Sequence, residues 1–142
     1  MRFWDASAVV PLLVAEPTTS SVQSALGEDH GMIVWWGTEV ECASALARLE
    51  REAALTSDDA NVAFERLDAL LAAWHEIQPT EPVKRMARRI VRVHPLRAAD
   101  ALQLSAALVA SDGRPDSMEI VSLDSRLTEA ARREGFLVLV PE

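Results

Sequence analysis

Four short runs with apolar centres, at residues 2–5, 32–36, 119–123 and 136–140, read as strands and alternate along this chain with longer segments patterned for helix. A strand that is apolar along its whole length needs cover on both faces. Helices between successive strands provide that cover while carrying the chain back to begin the next parallel strand. The pattern predicts an α/β domain with a mostly parallel sheet. With 142 residues, no repeats and no linker-like stretch, residues 1–142 read as one domain.

The punctuation between the runs sets the helices. Pro17 and Thr18–Ser20 open one that reaches about Gly27. Thr38 is placed to cap a helix over 39–54, with Glu41 at the third position, where a capping-box partner stands. Ser57 and Asp58 open another, in which Phe64, Leu67, Leu70 and Leu71 recur at helical spacing. Residues 76–78 suit a minor strand before Pro79. A further helix runs from Pro82 to the stop at Pro95, and one over 98–110 carries a single charge, Asp100, and so is expected to be buried nearly all round. The helix over 125–134 ends at Gly135.

Four acids sit against this framework in costly places. Asp5, Glu41, Asp100 and Asp124 each interrupt or end an apolar run, and a carboxylate beside a core needs something to compensate its charge. In open parallel sheets, sites form beyond the carboxyl ends of the strands, where strand order reverses. Asp5 and Asp124 each end or follow a strand, so they emerge at one edge if those strands are neighbours. Glu41 and Asp100, at helix starts, are placed to reach the same edge. Four oxygen-donor groups there suit a hard divalent cation such as Mg²⁺ or Mn²⁺. Such an ion polarises a phosphate and activates water. Each acid also has an ordinary use: Asp124 as a helix cap and Glu41 as a capping-box partner. Glu39, two residues earlier, stands as an alternative to Glu41.

Other chemistries lack their residues. His30, His75 and His94 are scattered, and the lone Cys42 excludes an internal disulfide and fits a reducing, cytoplasmic setting. There is no glycine-rich phosphate loop. No apolar segment approaches the ~20 residues that span a bilayer, and the first residues lack the pattern of a signal peptide. The formal charge of −8 argues against broad attraction to nucleic acid. Yet residues 84–97 carry +6 with no acid among them, so the remainder carries −14. That segment is either a solvated helix face or a local surface for a polyanion. Trp35 and Trp36 offer base-stacking faces, at least one of which belongs to the core.

The motifs, in order, are Asp5-Ala6-Ser7; Glu41 with Ala45-Leu46 four residues on; Leu96-Arg97-Ala98-Ala99-Asp100-Ala101-Leu102-Gln103-Leu104; and Ser122-Leu123-Asp124-Ser125-Arg126-Leu127. Together with Ala130–Phe136 they resemble, over nearly the whole length, PIN-domain proteins, and among them the VapC-like toxins of type II toxin–antitoxin modules. The resemblance implies a three-layer α/β/α PIN-like domain around a mostly parallel four- to five-stranded sheet. It also implies a Mg²⁺- or Mn²⁺-dependent endoribonuclease, cytoplasmic and homodimeric, held inactive by a small antitoxin whose tail enters the acidic pocket. Asp5, Glu41, Asp100 and Asp124 would be the catalytic metal ligands, supported by Ser7 and Ser122, and metal-activated water would attack the RNA phosphodiester. Arg85, Arg88, Arg89, Arg92 and Arg97 would meet RNA or the antitoxin. The amphipathic helices spanning roughly 38–76 add a second motive for a dimer. Two other functions fit the same acids: a metal-dependent small-molecule phosphohydrolase, and a non-catalytic binding module. The missing second aspartate of an Asp-x-Asp motif lowers the first.

Overall fold

The computed structural model describes residues 1–142. Five strands, β1 (Arg2–Trp4), β2 (Met32–Trp35), β3 (His75–Ile77), β4 (Glu119–Val121) and β5 (Leu137–Leu139), form one sheet in the order β3-β2-β1-β4-β5, every pair parallel. Seven helices intervene: α1 (Ala6–Leu13), α2 (Thr19–Glu28), α3 (Thr38–Arg51), α4 (Ser57–Ala73), α5 (Glu81–Val93), α6 (Ala98–Ala110) and α7 (Ser125–Arg133). β2 and β4 flank β1 on opposite sides, so strand order reverses at β1.

Alternation along each strand divides the interior into two cores. Trp4, Met32, Val34 and Val121 face one side, where residues of α1, α2, α3 and α4 pack. Phe3, Trp35 and Ile120 face the other, against α5, α6 and α7. The architecture is therefore α/β/α, as the alternation of short runs and helices predicts. Helix α6 lies at the heart of the second core; Ala101, Gln103, Leu104, Ser105, Ala106, Ala107 and Leu108 are all buried.

Two local expectations are corrected. Thr38 does not cap α3: Gly37 holds the N-cap position with no side-chain bond, and Thr38 is the first helical residue, fully buried. Its hydroxyl is turned inward to accept a hydrogen bond from Gln103 of α6 (2.9 Å), and the Glu41 side chain is drawn to the same amide. Both side chains are spent across layers, so no capping box forms. Helix α4 opens at Ser57 as expected, capped by Thr56, whose hydroxyl accepts from the Asp59 N–H at 3.1 Å. The minor strand lies at 75–77, one residue earlier than expected.

A charged clamp fixes the end of α7 to α5. Glu134 accepts from Arg89 at 2.6 and 3.1 Å and meets Nε2 of the buried His94 at 2.6 Å. These partners hold its carboxyl below the usual range, the Arg89 hydrogen bond foremost. Gly135 follows with φ +101°, a left-handed turn that glycine adopts without strain, and β5 begins. Glu134→Gln, which keeps the shape and loses the charge, is expected to cost about 1 kcal/mol, read as a lower urea midpoint at pH 7. No change in midpoint would show that the clamp is energetically idle.

Candidate active site

The reversal of strand order at β1 decides where the acids meet. Asp5 follows β1 directly, and its N–H still pairs with the Val121 carbonyl of β4 at 3.0 Å. Asp124 lies three residues past β4, Glu41 in the first turn of α3 and Asp100 in the first turn of α6. All four thus stand at the carboxyl edge of β2, β1 and β4.

Asp5 is 3% exposed and has no cationic partner. Although at the N-cap of α1, it makes no cap bond; Oδ2 instead accepts from Ser7 Oγ (2.5 Å) and Ser122 Oγ (2.9 Å). Ser7 accepts in turn from the Leu123 N–H, and Ser122 from the Asp124 N–H. The two serines therefore tie the end of β1 to the turn after β4. Burial raises the Asp5 carboxyl above its ordinary range, against these two hydroxyl bonds, and Asp100 and Asp124 push it the same way.

Glu41 is half-buried, with Oε2 accepting from Gln103 Nε2 at 3.1 Å. Desolvation pushes its carboxyl up to about 7, opposed by the Gln103 bond and aided by the charges of Asp5 and Asp100. Glu39 is exposed, whereas the partly buried Glu41 feels the charges of Asp5 and Asp100. Asp100 is raised by desolvation first and then by Asp124, with Arg97 and Arg126 countering. Asp124 does cap α7, as its ordinary reading had it: Oδ1 accepts from the N–H groups of Arg126 and Leu127 at 2.9 and 3.0 Å. Its Oδ2 has no protein partner and is free for a ligand.

Asp100, Asp124, Arg97 and Arg126 line an open cleft of about 450 Å³ with Leu123 and Ser125. Carboxylates and hydroxyls are hard oxygen donors of the kind magnesium and manganese take. Burial of the Asp5 carboxyl with no cation beside it is compensated either by protonation, the direction in which it is shifted, or by a bound cation. The chemistry of the donor set fits a divalent cation; no three acidic, histidine or cysteine side chains already form a ready-made cage.

Two participants escaped the sequence reading. Gln103 is fully buried and bridges Thr38 and Glu41. The only signal for it was a polar amide three residues after Asp100 in an otherwise apolar helix. Arg126, two residues past Asp124, has no sequence signal beyond its place in the Ser122–Leu127 motif. Of the basic residues expected to meet RNA or the antitoxin, Arg97 reaches the cleft, Arg89 is held by Glu134, and Arg85, Arg88 and Arg92 lie on the exposed face of α5. Trp35 is buried and Trp36 is 50% exposed at the carboxyl end of β2, their rings edge to face at 6.3 Å. Cys42 is buried and its thiol pushed up to about 12 by desolvation, so it supplies no thiolate.

Ribonuclease VapC45 of Mycobacterium tuberculosis is 34% identical over 142 residues, a match spanning 94% of this chain and 90% of its own. This chain belongs to the VapC ribonuclease family. Ribonuclease VapC49 of the same species matches with the same identity and coverage. No family model matches the chain. Among solved structures, FitAcB from Neisseria gonorrhoeae superposes with a TM-score of 0.69 at 20% identity, covering 99% of this chain and 98% of that one. A toxin–antitoxin complex from Klebsiella pneumoniae gives 0.69 at 12% identity, covering 100% and 98%. The VapC assignment rests on the sequence relatives; the solved structures place the fold as PIN-like. Within this VapC-family chain, the four acid-bearing motifs stand at the carboxyl edge of the sheet, whereas Ala130–Phe136 ends α7 and leads into the amino end of β5.

Proposed function

We propose that this chain is a divalent-metal-dependent endoribonuclease and the toxin of a toxin–antitoxin pair. The observation that carries the reading is Asp5: a buried carboxylate without a cation, fixed by two serines and coupled through charge to Asp100, Asp124 and Glu41. Ribonuclease activity comes from the names of the two mycobacterial relatives. The antitoxin partner comes from the solved Klebsiella complex. No transmembrane helix competes with this reading, since no helix is long and apolar enough to cross a membrane.

Asp5, Glu41, Asp100 and Asp124 would hold Mg²⁺ or Mn²⁺, which supplies Lewis acidity to the scissile phosphate and lowers the pKa of water. The chain's own residues do the rest. Ser7 and Ser122 fix Oδ2 of Asp5, and Gln103 orients Oε2 of Glu41. Arg97 and Arg126, which both line the cleft, are placed to take the phosphate oxygens as charge develops in the transition state. No side chain is set up as a nucleophile: Ser7 is committed to Asp5 and Leu123, and Cys42 is an inert thiol. Water is therefore the attacking group. A homodimer belongs to the same proposal; Val40 of α3 and Val62 of α4, 66% and 44% exposed, would be available for its contacts.

Purified protein is expected to cleave RNA, assayed on transfer RNA and a mixed-sequence oligonucleotide, with Mg²⁺ or Mn²⁺ present. EDTA should stop the reaction and excess Mn²⁺ restore it. Turnover of phosphate monoesters without cleavage of any RNA would overturn the proposal.

A further inference from the structure

The basic segment is not absorbed by the cleft. On α5, Lys84, Arg85, Arg88, Arg89 and Arg92 fall at helical spacing on the face opposite the buried Val83, Ala87 and Ile90. Lys84 pairs with Glu81 and Arg89 with Glu134, whereas Arg85, Arg88 and Arg92 have no carboxylate partner. Like charges four residues apart, as in Arg88 and Arg92, disfavour the helix. Lys84 and Arg85 stand near its N-terminal end, where the dipole disfavours cations. Local helix energetics do not account for this stripe on a protein of net charge −8.

The stripe neighbours a groove that adjoins the cleft. The cleft shares Ser125 and Arg126 with a neighbouring groove of about 250 Å³ that His94, Pro95 and Arg133 also line. His94 directly follows Val93, which with Arg88, Arg89 and Arg92 lines a hollow of about 540 Å³. The acids along this path are neutralised: Glu129 by Arg133, Glu134 by Arg89. A positive path thus leads from the carboxylates through Arg97 and Arg126 to Arg92, Arg88 and Arg85.

We propose that this path binds the backbone of RNA flanking the scissile phosphate, with the α5 arginines taking successive phosphates away from the cleft. The proposal rests on the ribonuclease reading of the site. Arginine's planar fork matches phosphate oxygens, and Arg85 to Arg92 spans about 10 Å of helix, the rise of about three nucleotides along one strand. A protein partner would call for apolar anchors at the centre of its footprint, and the hollow offers only Val93 among three arginines. A polyanion fits this surface better than an acidic peptide.

The test compares wild type with the triple variant Arg85→Ser/Arg88→Ser/Arg92→Ser and with Arg48→Ser/Arg51→Ser/Arg114→Ser. The second removes three exposed, unpaired arginines elsewhere, so both variants change net charge equally. Binding of a labelled 24-nucleotide unstructured RNA is followed by fluorescence anisotropy in EDTA, and its cleavage is followed with Mn²⁺. The stripe variant should fold normally and bind at least about tenfold more weakly at 50 mM salt. Its slope of log K against log salt should fall by about 2, since each phosphate contact on a single strand contributes ~0.7. The control variant should bind as wild type does. Equal losses in both variants, or unchanged affinity and slope in the stripe variant, overturn the proposal. Unchanged RNA binding with an antitoxin complex that dissociates at lower salt would also overturn it, in favour of a protein surface. A wild type that cleaves while the stripe variant binds normally refutes the path alone. A wild type that neither binds nor cleaves RNA refutes the ribonuclease reading beneath it.

Discussion

Asp5→Asn is expected to lower RNA cleavage by at least about 10³-fold while leaving the protein as stable as wild type or more so at pH 7. The two effects have one cause. The carboxylate is 3% exposed, and burial disfavours its charge, so an uncharged isostere relieves a cost in the folded metal-free protein. Asn keeps an oxygen to accept from Ser7 and Ser122, so the tie between β1 and the turn after β4 survives. What is lost is the negative charge that a divalent cation requires. A thermal melt should accordingly show an unchanged or higher midpoint without metal and a smaller gain on adding Mn²⁺ than wild type shows. Wild-type cleavage by the variant would remove Asp5 from the mechanism. A collapsed melting transition would mean that its role is structural instead.

The second large effect is a loss of stability with rising pH in the metal-free protein. The Glu41 carboxyl, with an ordinary value of 4.5, is pushed up to about 7 in the folded chain, so the native state holds this proton more tightly than the unfolded state does. That contribution is fully present below about pH 4.5 and is lost as pH rises through 7. Each pKa unit is worth about 1.4 kcal/mol, and because Glu41 is partly exposed, solvent screening leaves on the order of 2 kcal/mol. Asp5 and Asp100, both raised, add in the same direction. Glu134 and Asp29, both lowered, act oppositely but at acid pH, where their ion pairs are lost. Urea denaturation in EDTA should show stability falling between pH 5 and 7.5, with a shallower fall in Glu41→Gln. Mg²⁺ should stabilise more at pH 7.5 than at pH 5, because protons compete for the same oxygens. A stability that is flat or rises across that interval would contradict the account.

How much of this was legible in the sequence differs from element to element. The strands were readable because 32–35 and 120–121 are apolar on both faces, and a doubly covered strand leaves no other pattern. The buried character of α6 was readable for the same reason, with Asp100 as its one charge. The capping role of Thr38 was misread because a hydroxyl before a helix looks alike whether it turns back on its own backbone or across to another layer. Gln103, which decides the matter, is 65 residues away. The same amide separates Glu41 from Glu39, since Gln103 and the neighbouring acids face only one of them.

By itself the sequence determined the layers, the strands and the four acids that terminate apolar runs, because periodicity and local polarity are properties of neighbouring residues. Tertiary structure decided what the acids share. Only the order β2-β1-β4 brings Asp5, Glu41 and Asp124 to one edge, and only burial turns Asp5 from a polar chain end into an uncompensated charge. The division follows from range: a helix or strand is patterned over a few residues, whereas desolvation and the repulsion of like charges depend on groups that the chain separates by a hundred.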